Sequence, residues 1–348
     1  MVKILLLAHE EANQTGQEKM TVTQQEEKKT RSGVKIKKIR NILLKIIGAF
    51  VIVIVLFLGI VYTVNVISNH SEQKRIESYG QHVSVDGKNM NVTIQGKGEE
   101  TVVLLPGYGT AAPALDFEPL IEELSPFYKV VIVEPFGYGL SDLTEKERST
   151  ENIVSEIHEA LQGLHIDRYV LMGHSISGIY GLDYVNKYPN EVSAFVGLDS
   201  SVPTLREKRF SSSEIETVKL LKKSGFSRLL MKPDTDVYAE LSYDDQTIEQ
   251  IRILMHKNMY NPNQLNEIEN MYSNFKRAEN STFPKNLPVI FFIQANHPAT
   301  DRWIPEHEKQ IKDSVHGKLI LLEAGHYLYR SHSKEIVKNF RTFMEEIQ

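Results

Sequence analysis

Apolar residues run without a charge from Ile46 to Ile67, with Thr63 and Asn65 as the clearly polar positions. As a helix this stretch crosses roughly 30 Å of hydrocarbon. β-Branched residues lie on every side of it, as in Val51-Ile52-Val53-Ile54-Val55, so no polar face is left for water. The pattern predicts a transmembrane helix over 42–67. Residues 1–41 are rich in Gln, Glu and Lys and show no sustained apolar period, which predicts a basic, disordered tail. Within it Ile4-Leu5-Leu6-Leu7 is too short to span a bilayer, and Met20 is a second candidate start.

Beyond a polar stalk at 68–79 the apolar period shortens to two. His82 to Val85 and Met90 to Gln95 alternate on either side of Asp86-Gly87, a strong hairpin signal. Apolar strands then recur at Thr101 to Leu105, Lys129 to Val133, Tyr169 to His174, Ala194 to Leu198, Val289 to Ile293 and Lys318 to Leu322. Helical periods separate them near Phe117 to Leu124, Thr150 to Leu164, the stretch ending at Tyr188, and Pro305 to Val315, with a last helix at Lys334 to Ile347. Strands alternating with helices predict an α/β protein built on a doubly wound, mostly parallel sheet. From Pro203 to Phe283 the alternation stops, and helical patterns such as Ile248 to Met259 and Leu265 to Arg277 replace it. A core at 80–202 and 284–348 with an inserted helical cap at 203–283 is therefore expected.

Charge adds an orientation. Lys28, Lys29, Arg31, Lys35, Lys37, Lys38, Arg40 and Lys45 precede the apolar run, whereas only Lys74 and Arg75 follow closely, which predicts a cytoplasmic N-terminus and an extracytoplasmic remainder on the cell membrane. A cleaved signal peptide competes with this anchor, but the run is long for one and Val64-Asn65-Val66-Ile67-Ser68 is a poor cleavage site. A net charge of -5 over 348 residues and no long basic face in the C-terminal part give no reason to expect nucleic acid. With no cysteine, the chain excludes disulfides, thiolate catalysis and cysteine-ligated metals. No His-x-x-x-His pair or carboxylate cluster has metal spacing, so neither metal nor cofactor is expected.

Candidate chemistry centres on the strand Tyr169-Val170-Leu171-Met172, which runs into Gly173-His174-Ser175-Ile176-Ser177-Gly178 and then a helical pattern. A serine hydroxyl is a poor nucleophile at neutral pH and needs a base within reach and donors for the oxyanion it creates. A sharp strand-to-helix turn lifts Ser175 clear of the sheet edge and aims the Ile176 N–H at the developing charge, with the helix dipole behind it. The run departs from Gly-x-Ser-x-Gly at Ser177, whose side chain is small enough for a crowded turn.

Together Pro106-Gly107-Tyr108-Gly109, Gly137-Tyr138-Gly139-Leu140-Ser141, Gly173 to Gly178, Asp301-Arg302-Trp303-Ile304-Pro305 and Gly325-His326 resemble the α/β-hydrolase family in its serine hydrolase branch, over nearly the whole chain from about His82. The resemblance implies Ser175 as nucleophile and His326 as the group that takes its proton and returns it to the leaving group. Asp301 matches the acid that orients the histidine, although His297 stands where that acid is first sought. Asp199, at the end of the strand after the nucleophile helix, is the alternative acid. Tyr108 matches the second oxyanion donor beside Ile176, with Pro106 in place of the family's usual histidine. Gly137 to Ser141 matches a structural turn. His174 is expected to pack beneath the elbow, His158 and His165 at a helix end, and Tyr180, Tyr184 and Tyr188 within the packing of one helix.

The implied activity is that of a membrane-anchored, carboxylesterase- or lipase-like enzyme cleaving an ester, less readily an amide, through an acyl-enzyme. Its substrate would be a small-molecule or lipid ester. Serine at 175 counts against the aspartate-nucleophile chemistry of dehalogenases and epoxide hydrolases. Aminopeptidase and acyltransferase activities remain open within the branch. A non-catalytic ligand-binding or sensing ectodomain is the alternative outside it, disfavoured because Ser175 and His326 are both present.

Overall fold

The computed structural model describes residues 2–204, 209–230, 238, 241, 243–298 and 300–347; the remaining parts of the expected cap, at 205–208, 231–237, 239–240 and 242, lie outside the described residues. Helix α1 (Val2–Gln73) runs through the tail, the apolar run and the first part of the stalk. Among the described residues it is the one helix long and apolar enough to cross a membrane, a test that a signal sequence also passes. The chain divides between Thr63 and Val64 into two compact units. In the first, apolar side chains such as Ile46, Ile52 and Leu56 are about 60% exposed, so the fold itself gives them no partner.

The second unit is built on an eight-stranded sheet: β1 (Gln81–Val85), β2 (Lys88–Gln95), β3 (Thr101–Leu105), β4 (Lys129–Glu134), β5 (Tyr169–His174), β6 (Val192–Leu198), β7 (Val289–Gln294) and β8 (Gly317–Leu322). Their order is β1-β2-β4-β3-β5-β6-β7-β8. β1 and β4 pair antiparallel with β2, and every later pairing is parallel. Asp86 and Gly87, both with positive φ, close the β1–β2 hairpin as the sequence predicts. Parallel strands are covered on both faces and so read as continuous apolar runs. Val103, Leu105, Val131, Leu171 and Phe195 point into one core, and Val102, Leu104, Val130, Met172 and Val196 into the other.

Helices α4 (Thr150–Gly163) and α5 (Ser177–Lys187) cover the first face through Ile153, Val154, Ile179 and Leu182. The second face is covered by α3 (Glu118–Leu124), which follows the single turn α2 (Pro113–Asp116), and by the C-terminal helices. The cap comprises α6 (Ser212–Ser224), α7 (Phe226–Leu230), α8 (Asp245–Asn258) and α9 (Pro262–Ala278). A reciprocal Ser211/Glu214 capping box starts α6, and left-handed Gly225 ends it. Buried asparagines seat the cap on the core: Asn258 donates to the carbonyls of Ala111 and Gly139, and Asn261 to that of Gly137. The Gly137 to Ser141 turn is thus an anchoring point, and Glu134 holds it from beneath by accepting from Leu140 N.

After β7, helix α10 (Thr300–Ile311) begins earlier than the predicted Pro305 and keeps Pro305 inside it, past the first turn, where proline removes one intrahelical hydrogen bond. The chain ends in α11 (Leu328–Ser331), a single turn not anticipated from the sequence, and α12 (Ser333–Glu346), whose Ile336, Phe340 and Phe343 are fully buried.

Candidate active site

β5 and β6 pair in register up to His174 and Leu198, so the turns that leave them lie side by side. Ser175 follows β5 with φ 53° and Asp199 follows β6 with φ 42°. A non-glycine residue in the left-handed region costs about 1–3 kcal/mol and persists where its surroundings over-determine it. They do so here. Ser175 N donates to Leu198 O at 3.2 Å, and Ser201 N donates to Ser175 O at 2.7 Å. A Cβ on Gly178 would stand 2.3 Å from the Ser201 carbonyl oxygen, so α5 closes onto this turn only with glycine there.

The departure at Ser177 also has a physical account. Its hydroxyl donates to the Pro106 carbonyl at 2.6 Å and ties the loop after β3 to the elbow. Pro106 has no N–H, but this bond uses its carbonyl, which proline retains. Gly107 lets the loop pass close by, since a Cβ on it would lie 2.5 Å from His174 Nδ1.

His326, on the segment between β8 and α11, bridges the two turns. Its Nε2 is 3.0 Å from Ser175 Oγ and its Nδ1 is 2.6 Å from Asp199 Oδ2. A carboxylate can only accept, so Nδ1 carries the proton and Nε2 is left to accept from the serine hydroxyl. Asp199 is fully buried and also accepts from Gln294 N (3.0 Å), Gln294 Nε2 (2.8 Å) and Trp303 Nε1 (3.2 Å). The next residue is held as well: His307 Nε2 lies 2.8 Å from Ser200 O.

The two candidate acids lie in different places. Asp301 stands exposed in the first turn of α10, and the carboxylate at His326 is that of Asp199, the alternative. The Asp301 to Pro305 run does serve the site, but through the Trp303 indole N–H. Where an acid after β7 was first sought, His297 stacks on the Trp303 ring with centroids 4.1 Å apart.

His174 packs beneath the elbow as expected, 1% exposed, with Nε2 donating to His326 O at 3.0 Å. Burial, and then the neighbouring His326, push its imidazole well below the ordinary histidine value. His158 stacks on Tyr188 at 3.8 Å and bonds Glu191, and His165 follows α4 with positive φ. Tyr108 sits half-buried on the loop after β3, its hydroxyl donating to Gln264 O of α9.

Two buried clusters escaped the sequence reading. Glu267 of α9 accepts from Tyr138 and Tyr180, so Tyr180 is more than packing. Asp116 accepts from Tyr238 of the cap (2.8 Å), from Tyr329, and from Arg330 (2.5 Å), and its carbonyl accepts from Tyr243 of the cap. Arg330 in turn lies over the Tyr327 ring at 3.8 Å. No motif signals these contacts, because their partners come from distant segments.

A family model described as the alpha/beta hydrolase fold matches residues 100–280. The chain belongs to that family. Over 228 residues it is 29% identical to the "uncharacterized protein YbdG" of Bacillus subtilis (strain 168), covering 64% of this chain and 70% of that protein. It is 27% identical over 119 residues to a 2-(acetamidomethylene)succinate hydrolase of Mesorhizobium japonicum, spanning 34% of this chain and 42% of that one. Among solved structures, the epoxide hydrolase VrEH1 from Vigna radiata superposes with a TM-score of 0.59 at 15% identity, over 76% of this chain and 97% of that one, a likeness of fold.

Proposed function

We propose that the chain is a membrane-anchored serine hydrolase that cleaves an ester, and less readily an amide, by way of an acyl-enzyme. The observation that carries this reading is the contact run from Ser175 Oγ through the His326 ring to Asp199. In the proposed reaction Ser175 Oγ attacks the substrate carbonyl carbon as its proton passes to His326 Nε2. The carbonyl oxygen becomes an oxyanion facing the backbone N–H groups of Tyr108 and Ile176. Asp199 keeps the imidazole in its productive tautomer and stabilises the imidazolium. His326 then protonates the departing alkoxide as the carbonyl reforms. Water enters, loses a proton to His326 and releases the acid, and Ser175 recovers its proton. Neutral His174 adds no second positive charge against the imidazolium above it.

The serine also separates this reading from the epoxide hydrolase chemistry of the structural neighbour. The anchor reading rests on α1 and on the excess of basic residues before its apolar run. Treating the full chain in detergent with a fluorophosphonate and following intact mass tests the nucleophile. A single adduct is expected in wild type and none in Ser175→Ala. A folded wild-type protein that takes up no adduct would overturn the proposal in favour of a binding role.

A further inference from the structure

The last turns of α1 are held by the cap. Arg228 of α7 donates Nη1 to Glu72 Oε1 at 2.8 Å, Nη2 to Glu72 Oε2 at 2.6 Å, Nη2 to Asn69 Oδ1 at 2.7 Å and Nε to Asn65 Oδ1 at 3.4 Å. Residues 65, 69 and 72 share one helix face. Arg252 of α8 adds a bond to Glu72 at 3.2 Å, so this carboxylate, with 8% of its side chain exposed, lies between two guanidinium groups. Burial pushes the Glu72 carboxyl up, but the Arg228 hydrogen bonds and charge outweigh it and hold it below its ordinary value. A forked, largely dry pair of this kind fixes geometry as well as adding attraction.

The clamp holds α7 against residues 65–72 of α1. Asn65 lies inside the apolar run, two residues before its last member Ile67. Val64, Val66 and Ile67 are 52%, 47% and 64% exposed. Directly after Arg228 come Leu229 and Leu230, 52% and 66% exposed, and on α6 Leu220 is 67% exposed. Lys223, exposed on the same α6 helix, has a charge that suits a phosphate layer. Leu229 and Leu230 adjoin the residue that grips Asn65 at the end of the apolar run, and adjacent exposed leucines mark an interaction surface.

We propose that Leu229 and Leu230 of α7, with Leu220 of α6, dock into the interface of the bilayer that α1 crosses, so that the cap rests on lipid. The proposal depends on the anchor reading. What it adds is that the cap, and with it the cover of the site, is in contact with the membrane surface.

Because the chain has no cysteine, single cysteines report without background. The full chain is placed in lipid nanodiscs containing nitroxide-labelled lipid, with an environment-sensitive fluorophore at Leu229→Cys, Leu230→Cys, Val55→Cys or Val315→Cys. Val315 is 67% exposed and precedes β8, at the sheet edge opposite the site. Loss of fluorescence is expected at positions 55, 229 and 230 and none at 315. If position 55 is quenched but 229 and 230 are not, the docking is overturned and the anchor stands. A blue-shifted but unquenched signal at 230 would mean that protein, such as a second copy of the chain, covers these leucines, which also overturns it. No quenching at 55 would overturn the anchor and the docking together.

Discussion

Asp199 and Asp116 are both buried carboxylates near the segment that carries His326, and different parts of the chain hold them. Among the described residues the donors to Asp199 belong to the core: Gln294 by backbone and side chain, the Trp303 indole and His326 itself. Asp116 draws Tyr238 from the cap, and Tyr329 and Arg330 from the residues just after His326. One carboxylate meets the imidazole and sets its direction. The other joins the cap to the backbone on which that imidazole rides. Equal burial therefore signals two kinds of control over the same histidine.

The largest effect that would break this contrast is on turnover. Asp199→Asn should lower kcat on a chromogenic ester by on the order of 10⁴-fold, through the wrong histidine tautomer, while Asp301→Asn should stay near wild type. A comparable loss in Asp301→Asn would return the acid to α10. Next, Asp116→Asn leaves Arg330 buried beside a neutral amide, with 11% of its side chain exposed. The expected cost is about 3–5 kcal/mol of stability, read as a lowered denaturant midpoint, with a smaller fall in kcat than for Asp199→Asn.

The smallest effect is a pH dependence of stability. Burial holds His174 well below its ordinary value, and burial with the Arg228 charge pushes His256 down to about 4. Below about 6.5 the unfolded chain takes up protons that the folded chain refuses, so stability rises with pH in this window. The contribution is complete above about 6.5 and is lost as pH falls towards 4, where His256 titrates in the fold. A melting temperature that stays flat from neutral pH to about 4 would contradict this.

The sheet was legible because buried parallel strands write themselves as apolar runs, and Asp86-Gly87 gave the hairpin its turn. The placement of Ser175 and His326 after strands was legible because each sits in a recognisable local run. Which candidate carboxylate meets His326 was not, because Asp199 and Asp301 both follow strands and distance along the chain does not say which turn faces His326. The pairing of β5 with β6 sets the Ser175 and Asp199 turns side by side. The cap's seat on Asn258 and Asn261, and the grip of Arg228 on Glu72, were invisible for a related reason. Polar contacts between distant segments leave no period in the sequence.

Ser175 and Asp199 belong to neighbouring turns bonded to each other, whereas His326 arrives on a separate segment held by His174 at its carbonyl and, through the residues that follow, by Asp116. In mechanical terms the contact run from Ser175 to Asp199 has a fixed frame and a clutch. A shift of Tyr327 to Arg330, driven from the cap through Tyr238, would move the imidazole and leave Ser175 and Asp199 in place.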